Sequence, residues 1–418
     1  MRMRLIALGL VLMMSGGAFA EGQWYKGVTH IHTLWSDGDM APEMVVDWYK
    51  TRGYDFVCLS EHNRLQEGEK LVAISEKNKL TPEHVAAIEK RFGADWVTVK
   101  EEDGNPKMQL KTHVEMGEYF NEAGKFLMVP AEEMTSISGA PHVNVINPRE
   151  QVPGRYGDPG MLLNKYMDEV HAQSEKYGVP MMTHVNHVNF SDGVSIEQMM
   201  QARRLQFMEI YNGHPSIRFE GSEKLGMPAE ERHWDVLLSM RLPKEPEFIL
   251  YGMSTDDSHN YHKWAARESN PGRGWVMVRS EKLEENALVE AMQRGDFYGT
   301  TGLLLDDVVA NDTSYTVDIA EEAGVSYTIE FVGTRTGFDT SSTEPTVKPE
   351  GGTPRPSRVY SDDIGVVLAT VEGPEATYTY KGDELYVRAR IMSTKPQDNP
   401  VEKDAKQRAW TQPVRLVK

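Results

Sequence analysis

The chain has 418 residues, a single cysteine and 63 acidic against 45 basic side chains, for a net charge of −18. One thiol excludes an internal disulfide framework, so the fold must be held by a large buried core, which this length allows. The acidic balance lacks the basic stripe that binding to long nucleic acids favours.

The first twenty residues read as a secretory signal: Arg2 and Arg4, an apolar run over 5–14, then small residues up to Ala20. That run is too short for a membrane span, and no cysteine stands at the cleavage point to carry a lipid. Cleavage after Ala20 would leave 398 residues of net charge −20. The expected location is therefore periplasmic or extracellular, with no membrane span in the mature chain.

Beyond it, short apolar runs ending in His or a carboxylate alternate with helical segments. Thr29-His30-Ile31-His32 places two imidazoles on one face of an extended chain, with Ile31 on the other. Ser36-Asp37-Gly38 follows. A helix over 42–51 has Pro in its first turn and Gly53 past its end. The run 54–60 ends in Glu61-His62, with Cys58 as a small core residue. Segment 63–125 is long for a link between strands. Helices at 81–92 and 113–121 make it an expected cap over one side of a mouth. The next run, 126–129, leads to Glu132-Glu133. His142 begins its run, 142–146, instead of ending it, so it must arrive from a loop or from a strand of unusual direction. A helix over 160–177 precedes the run 179–183, which ends in His184. A helix over 195–204, following Asp192-Gly193, leads into a strand over 206–211. A helix over 230–240 precedes the run 248–251, which leads into Asp256-Asp257-Ser258-His259. A last helix spans 283–294.

Buried strands alternating with helices predict an α/β barrel, and such barrels gather their functional groups at the carboxyl ends of the strands. Apart from His142, the ligand-type residues lie at those ends. After about Thr300 the character changes. Runs at 315–319, 326–332, 365–371, 377–380, 384–391 and 409–416 are rich in β-branched and aromatic residues, and 336–357 is rich in Gly, Pro and Ser. These predict a smaller all-β, sandwich-like domain. The expected division is a signal at 1–20, a barrel at 21–300 with its cap at 63–125, and the β domain at 301–418. That domain is read first as a structural module and second as a binder of substrate or wall polymer.

In order, His30-x-His32, Ser36-Asp37-Gly38, His62, Pro130-Ala-Glu-Glu133, His142, Thr183-His184 and Asp257-x-His259 resemble the motifs of the PHP (polymerase and histidinol phosphatase) superfamily of metal-dependent phosphoesterases. The resemblance spans roughly residues 24–300. It implies a distorted seven-stranded (β/α) barrel holding up to three metal ions. One ion would take His30, His32, Glu133 and Asp257, and Glu133 would bridge to a second held by His142 and His184. Asp37, His62 and His259 would hold a third. Where the family commonly has Thr-Asp-His this chain has Ser60-Glu61-His62, so the resemblance passes no role to Glu61. Of the adjacent pairs Glu132/Glu133 and Asp256/Asp257 it assigns the second member, and strand alternation lets only one of each pair face the site.

His and carboxylate ligands suit Zn, Mn and Fe alike. Two or three such ions would lower the pKa of bound water to supply hydroxide and would clamp phosphate oxygens. The expected function is hydrolysis of a small-molecule phosphoester without a protein nucleophile. The same site would serve a carboxyl ester or carbamate. A non-catalytic metal- or glycan-binding protein is the remaining reading, and the full set of nine ligands argues against it. Arg64 and His187, just past strand ends, are the candidate catalytic contacts, Arg64 as a bidentate phosphate partner. Asn63, Asn186, Asn212, His214, Asn260 and His262 are similarly placed. Trp35, Tyr211 and Trp264 are candidate walls for an organic leaving group.

Overall fold

The computed structural model describes residues 22–416 apart from 103, 191–192, 246, 346 and 348–356. The expected signal at 1–20 and Asp192 lie outside the described residues, as does most of the second half of 336–357. Among the described residues no helix is long and apolar enough to cross a membrane.

The chain opens with β1 (Gln23–Val28), α1 (Pro42–Lys50) and β2 (Phe56–Leu59). In α1, Pro42 and Glu43 start the helix, Lys50 closes it, and Val45, Val46 and Tyr49 form its buried face. Segment 63–125 holds β3 (Leu71–Ala73), α2 (Pro82–Phe92), β4 (Val99–Glu102), β5 (Asn105–Gln109) and α3 (His113–Phe120). Both helices begin with capping boxes, Thr81 with His84 and Thr112 with Glu115. The antiparallel sheet β3-β5-β4 was not predicted, because β4 and β5 are mostly polar and half or fully exposed, so no buried face marks the sequence.

Next come β6 (Leu127–Thr135), β7 (His142–Ile146), α4 (Pro159–Tyr177), β8 (Met182–Val185), α5 (Ile196–Met199), β9 (Phe207–Asn212), α6 (Glu230–Arg241) and β10 (Tyr251–Thr255). They are followed by β11 (Trp275–Ser280), α7 (Glu285–Gln293) and β12 (Phe297–Thr300). The helix expected at 195–204 stops at Met199 because the Asn164 side chain takes the Gln201 carbonyl and the Arg203 amide, groups that a longer helix would have used.

These strands form one mixed sheet in the order β10-β9-β8-β7-β6-β2-β1-β11-β12. Pairs β1–β2, β2–β6, β8–β9 and β9–β10 are parallel, whereas β7 is antiparallel to both neighbours. That reversed strand is how His142, first in its run, reaches the same end as the others. The chain beyond β1 meets the chain beyond β10: Ile31 bridges Ser258 in parallel, His32 N donates to Ser258 O at 3.0 Å, and Asp257 N donates to His30 O at 2.9 Å. Phe56, Cys58, Val129, Met182, Phe207 and Met253 pack with Leu288, Val289 and Met292 of α7 in one buried cluster.

The remaining strands are β13 (Leu305–Ala310), β14 (Ser314–Ile319), β15 (Tyr327–Arg335), β16 (Ser342–Thr343), β17 (Val359–Tyr360), β18 (Val366–Glu372), β19 (Glu375–Thr379), β20 (Glu384–Pro396), β21 (Lys406–Thr411) and β22 (Val414–Arg415). They make a second, antiparallel region. The sheet β13-β14-β19 shares a core with β15, β20 and β21 through Tyr315, Val317, Phe331, Val387 and Ile391. The sheet continues across residue 300: β12 pairs with β21, Tyr298 opposite Thr411, and one sheet runs through both regions. The Gln412 side chain extends this union by exchanging hydrogen bonds with Gly252 N (2.8 Å) and Gly252 O (2.9 Å) of β10. Buried Arg388 of β20 also pairs with Asp235 and Glu231 of α6.

Candidate metal centre

His30 and His32 follow β1 and are fully buried. Their Nε2 atoms lie 3.2 Å apart. Two carboxylates close on this pair. Glu133 stands 3.5 Å from each Nε2, and Asp257 Oδ1 stands 3.3 Å from His30 and 3.4 Å from His32. The register of β6 puts Glu133 inside and turns Glu132 away, where its carboxylate accepts from Val152 N at 2.9 Å and burial pushes its pKa up to about 8. Asp256 likewise faces away, bound by Tyr49 Oη and by the amides of Gly272, Arg273 and Gly274.

Around this centre stand two flanking groups. His62 Nδ1 is 2.6 Å from Glu133 Oε2, and His142 Nδ1 is 3.0 Å from Glu133 Oε1. Asp37, half exposed, lies 3.4 Å from His259 Nε2, 3.6 Å from His62 Nε2 and 3.7 Å from His32 Nδ1. Its turn is held by Glu61, which is fully buried and accepts from Thr33 N, Thr33 Oγ1 and Ser36 Oγ. Among the described residues, four groups of His and carboxylate ligand atoms lie close enough together to hold a metal ion: His32-Asp37-His62-His259, His30-His32-Glu133, His30-His187-Asp257 and His62-Glu133-His142.

Eight of the nine expected ligands therefore meet, and His184 does not. Its ring is fully buried, both nitrogens lack a hydrogen-bond partner, and its nearest carboxylate, Glu209, is 3.9 Å away. The cause is its place within β8, opposite Asn144 in the sheet, below the strand end. Three residues on, His187 turns back with φ 21°, and its Nε2 sits 3.4 Å from Glu133 and 4.0 Å from Asp257. The structure thus places His187, expected as a catalytic contact, among the ligand-type side chains. Asp257 also has a positive φ, 48°. Such backbone costs about 1–3 kcal/mol per residue and clusters where geometry serves a site.

Glu209 is the residue that reading the sequence missed. Buried on β9, it takes His30 Nδ1 at 2.7 Å, His187 N at 2.8 Å, Thr255 Oγ1 at 2.8 Å and Asn212 Nδ2 at 2.9 Å. A hydrogen on His30 Nδ1 then leaves Nε2 with its lone pair aimed at the centre. The available signal was a lone carboxylate inside an apolar strand. Asn186 orients Glu133 at 2.8 Å, and Asn212 orients Asp257 at 3.1 Å.

The other expected contacts lie at greater remove. Arg64 is exposed, with Lys70 as a cationic neighbour. Asn63 spends its amide on Thr135 N and O, and Asn260 and His262 bond to Asp39. The His214 ring lies 5.5 Å from that of His259. Trp35 and Tyr211 are buried core residues, and Trp264 stacks outside on Trp48. The aromatic ring beside the cluster is Phe190, 5.3 Å from His187 and 6.2 Å from His142.

The electrostatics match crowded acceptors. Burial holds His32 down to about 3, helped by His259 and His62. Burial opposes the charged forms of Glu133 and Asp257 too, yet the surrounding imidazoles hold both well below the carboxylate range. His62 is pushed up to about 11, since the charge of Glu133 and the bond to Asp37 outweigh its burial.

No family model matches the chain, and no curated protein matches it in sequence. Among solved structures it is similar to a two-domain protein from Bacteroides vulgatus ATCC 8482 containing a predicted PHP-like metal-dependent phosphoesterase. That likeness has 15% identity over 94% of this chain and 96% of the other, with a TM-score of 0.40. It is also similar to a candidate metal-dependent phosphoesterase from Bifidobacterium adolescentis ATCC 15703, at 10% identity over 58% of this chain and 91% of the other, with a TM-score of 0.30.

Proposed function

We propose that this chain is a metal-dependent hydrolase of the PHP superfamily that cleaves phosphoesters of small molecules. The observation that carries the reading is the convergence of Glu133 and Asp257, both buried, on the facing Nε2 atoms of His30 and His32. Lone pairs packed this closely repel unless a cation lies among them, and a set of imidazoles and carboxylates suits Zn, Mn or Fe. We assign two or three ions to His30, His32, Asp37, His62, Glu133, His142, His187, Asp257 and His259. His187 takes the place expected for His184. The strands β1, β2 and β6–β10 then make a distorted seven-stranded barrel, its ends joined at Ile31 and Ser258.

Bound ions would supply Lewis-acid chemistry, acidifying water and offsetting charge on the oxygens of the reacting centre. The chain's own residues do the positioning. Glu209 fixes the His30 tautomer, Asn186 and Asn212 aim the two carboxylates, and Glu61 holds the turn that presents Asp37. No protein nucleophile is needed.

A second reading, attack on a carboxyl ester or carbamate, is favoured by one observation. Among the described residues no lysine or arginine forms an ion pair with the carboxylate of Asp37, Glu133 or Asp257, Lys79 Nζ donating instead to the Asp37 carbonyl at 2.6 Å, while Phe190 lends the cluster an apolar flank. The test is one panel of chromogenic phosphomonoester, phosphodiester and carboxyl ester substrates, run on protein of measured metal content. Turnover of a phosphoester supports the first reading, turnover of the carboxyl ester alone supports the second, and none with a metal-loaded site rejects both. The exported location and the binding of small esters in preference to long nucleic acids belong to the same proposal.

A further inference from the structure

Arg273, between β10 and β11, is only 1% exposed, and no carboxylate is among its side-chain hydrogen-bond partners. All its donors go to backbone carbonyls. Nε donates to Asn399 O at 3.0 Å, Nη1 to Gly213 O at 2.8 Å and Glu268 O at 2.7 Å, and Nη2 to Ala265 O at 3.2 Å and Ala266 O at 3.4 Å. One guanidinium therefore joins three segments: the turn after β9, the loop after β10, and the hairpin loop between β20 and β21.

Two of these segments carry the metal centre. Gly213 follows Asn212, which bonds both Glu209 and Asp257. The loop after β10 supports its own first residues, since Ser269 Oγ donates to Asp257 O and Ser269 O accepts from His259 N at 2.9 Å. Arg273 N also donates to Asp256, the residue before Asp257. The third segment, with Asn399, belongs to the antiparallel β region.

We propose that Arg273 is a positioning residue through which the C-terminal β region holds Asp257 and His259 in ligand geometry. The inference rests on the metal-hydrolase reading. It gives the β region a part in the site that pairing of β12 with β21 would not by itself require.

The experiment uses the full chain loaded with Co(II), following the visible spectrum and the cobalt dissociation constant beside circular dichroism and Tm. Arg273→Lys has too few donors to reach all five carbonyls. It is expected to weaken cobalt binding by about tenfold to a hundredfold, the range for groups that orient ligands, and to alter the cobalt spectrum. A second variant replaces loop 398–404 by a short Gly-Asn turn, which removes the Asn399 carbonyl and leaves both strands paired. It should move the same two readouts and decides the matter if Arg273→Lys does not fold. Arg388→Lys, which disturbs the contact of α6 with β20, serves as the structural control: it should lower Tm and leave the spectrum unchanged. A folded Arg273→Lys or loop variant with wild-type cobalt affinity and spectrum overturns the proposal alone. Wild-type protein that takes up no cobalt overturns the metal reading and the proposal with it.

Discussion

His187 and His184 are three residues apart, both buried, and the proposed ligand set gives them opposite roles. In His187→Ala the backbone amide still reaches Glu209, but the ring nitrogen 3.4 Å from Glu133 and 4.0 Å from Asp257 is gone. Losing even a group that orients a ligand costs about 10- to 100-fold in metal affinity or activity. Losing a ligand itself should then cost at least about a hundredfold, or about 2.8 kcal/mol at 1.4 kcal/mol per decade. His184→Ala removes a fully buried ring that stands outside the four groups of ligand atoms. Its cost is packing, about 2–4 kcal/mol by analogy with other large-to-small core changes, and it should show as a lower Tm with metal retained. The assay is elemental analysis after gel filtration, with ester turnover and calorimetry on the same samples. If His184→Ala sheds metal while His187→Ala keeps it, the turn after β8 has been read wrongly and His184 returns to the ligand set.

Glu133→Gln should lose metal and at least about a hundredfold in rate, whereas Glu132→Gln, whose partner is Val152 N, should do neither; the reverse order in kinetics and metal content would shift the register of β6 by one. Glu209→Gln keeps the shape but no longer enforces the His30 tautomer, so metal affinity measured by chelator competition should fall about 10- to 100-fold, and an unchanged value would leave Glu209 a packing residue. Burial holds His113 and His233, both away from the cluster, down to about 4. A neutral folded imidazole against an unfolded value near 6.5 confers stability that is intact above pH 6.5 and lost as pH falls toward 4. Each group accounts for roughly 3 kcal/mol at 1.36 kcal/mol per unit. His233→Gln should therefore shrink the acid-induced loss in chemical denaturation by up to about that much, and an unaltered pH profile would count against it.

Much of the centre was legible because one pattern repeats: an apolar run, then an imidazole or carboxylate. His142 leading its run left a loop or a reversed strand open, and β7 proves to be the reversed strand; strand alternation allowed only one of Glu132/Glu133 and of Asp256/Asp257 to face the site, and the order of the motifs picked the second of each. What stayed hidden depends on geometry that spacing does not encode. Whether the chain leaves β8 at His184 or turns back at His187 is decided by a backbone at φ 21°. Glu209 finds its partner 179 residues away. The early end of α5 is set by Asn164 of α4. The union of β12 with β21 joins strands more than a hundred residues apart, and no local pattern at residue 300 announces it.

The most direct test of the central claim is the metal content of wild-type protein purified without chelator, read with turnover on the ester panel before and after stripping and reloading. The account predicts two or three ions of Mn, Zn or Fe per chain, activity lost on stripping, and recovery on reloading. Less than about one ion per chain, with no activity restored by any of the three metals, would contradict it.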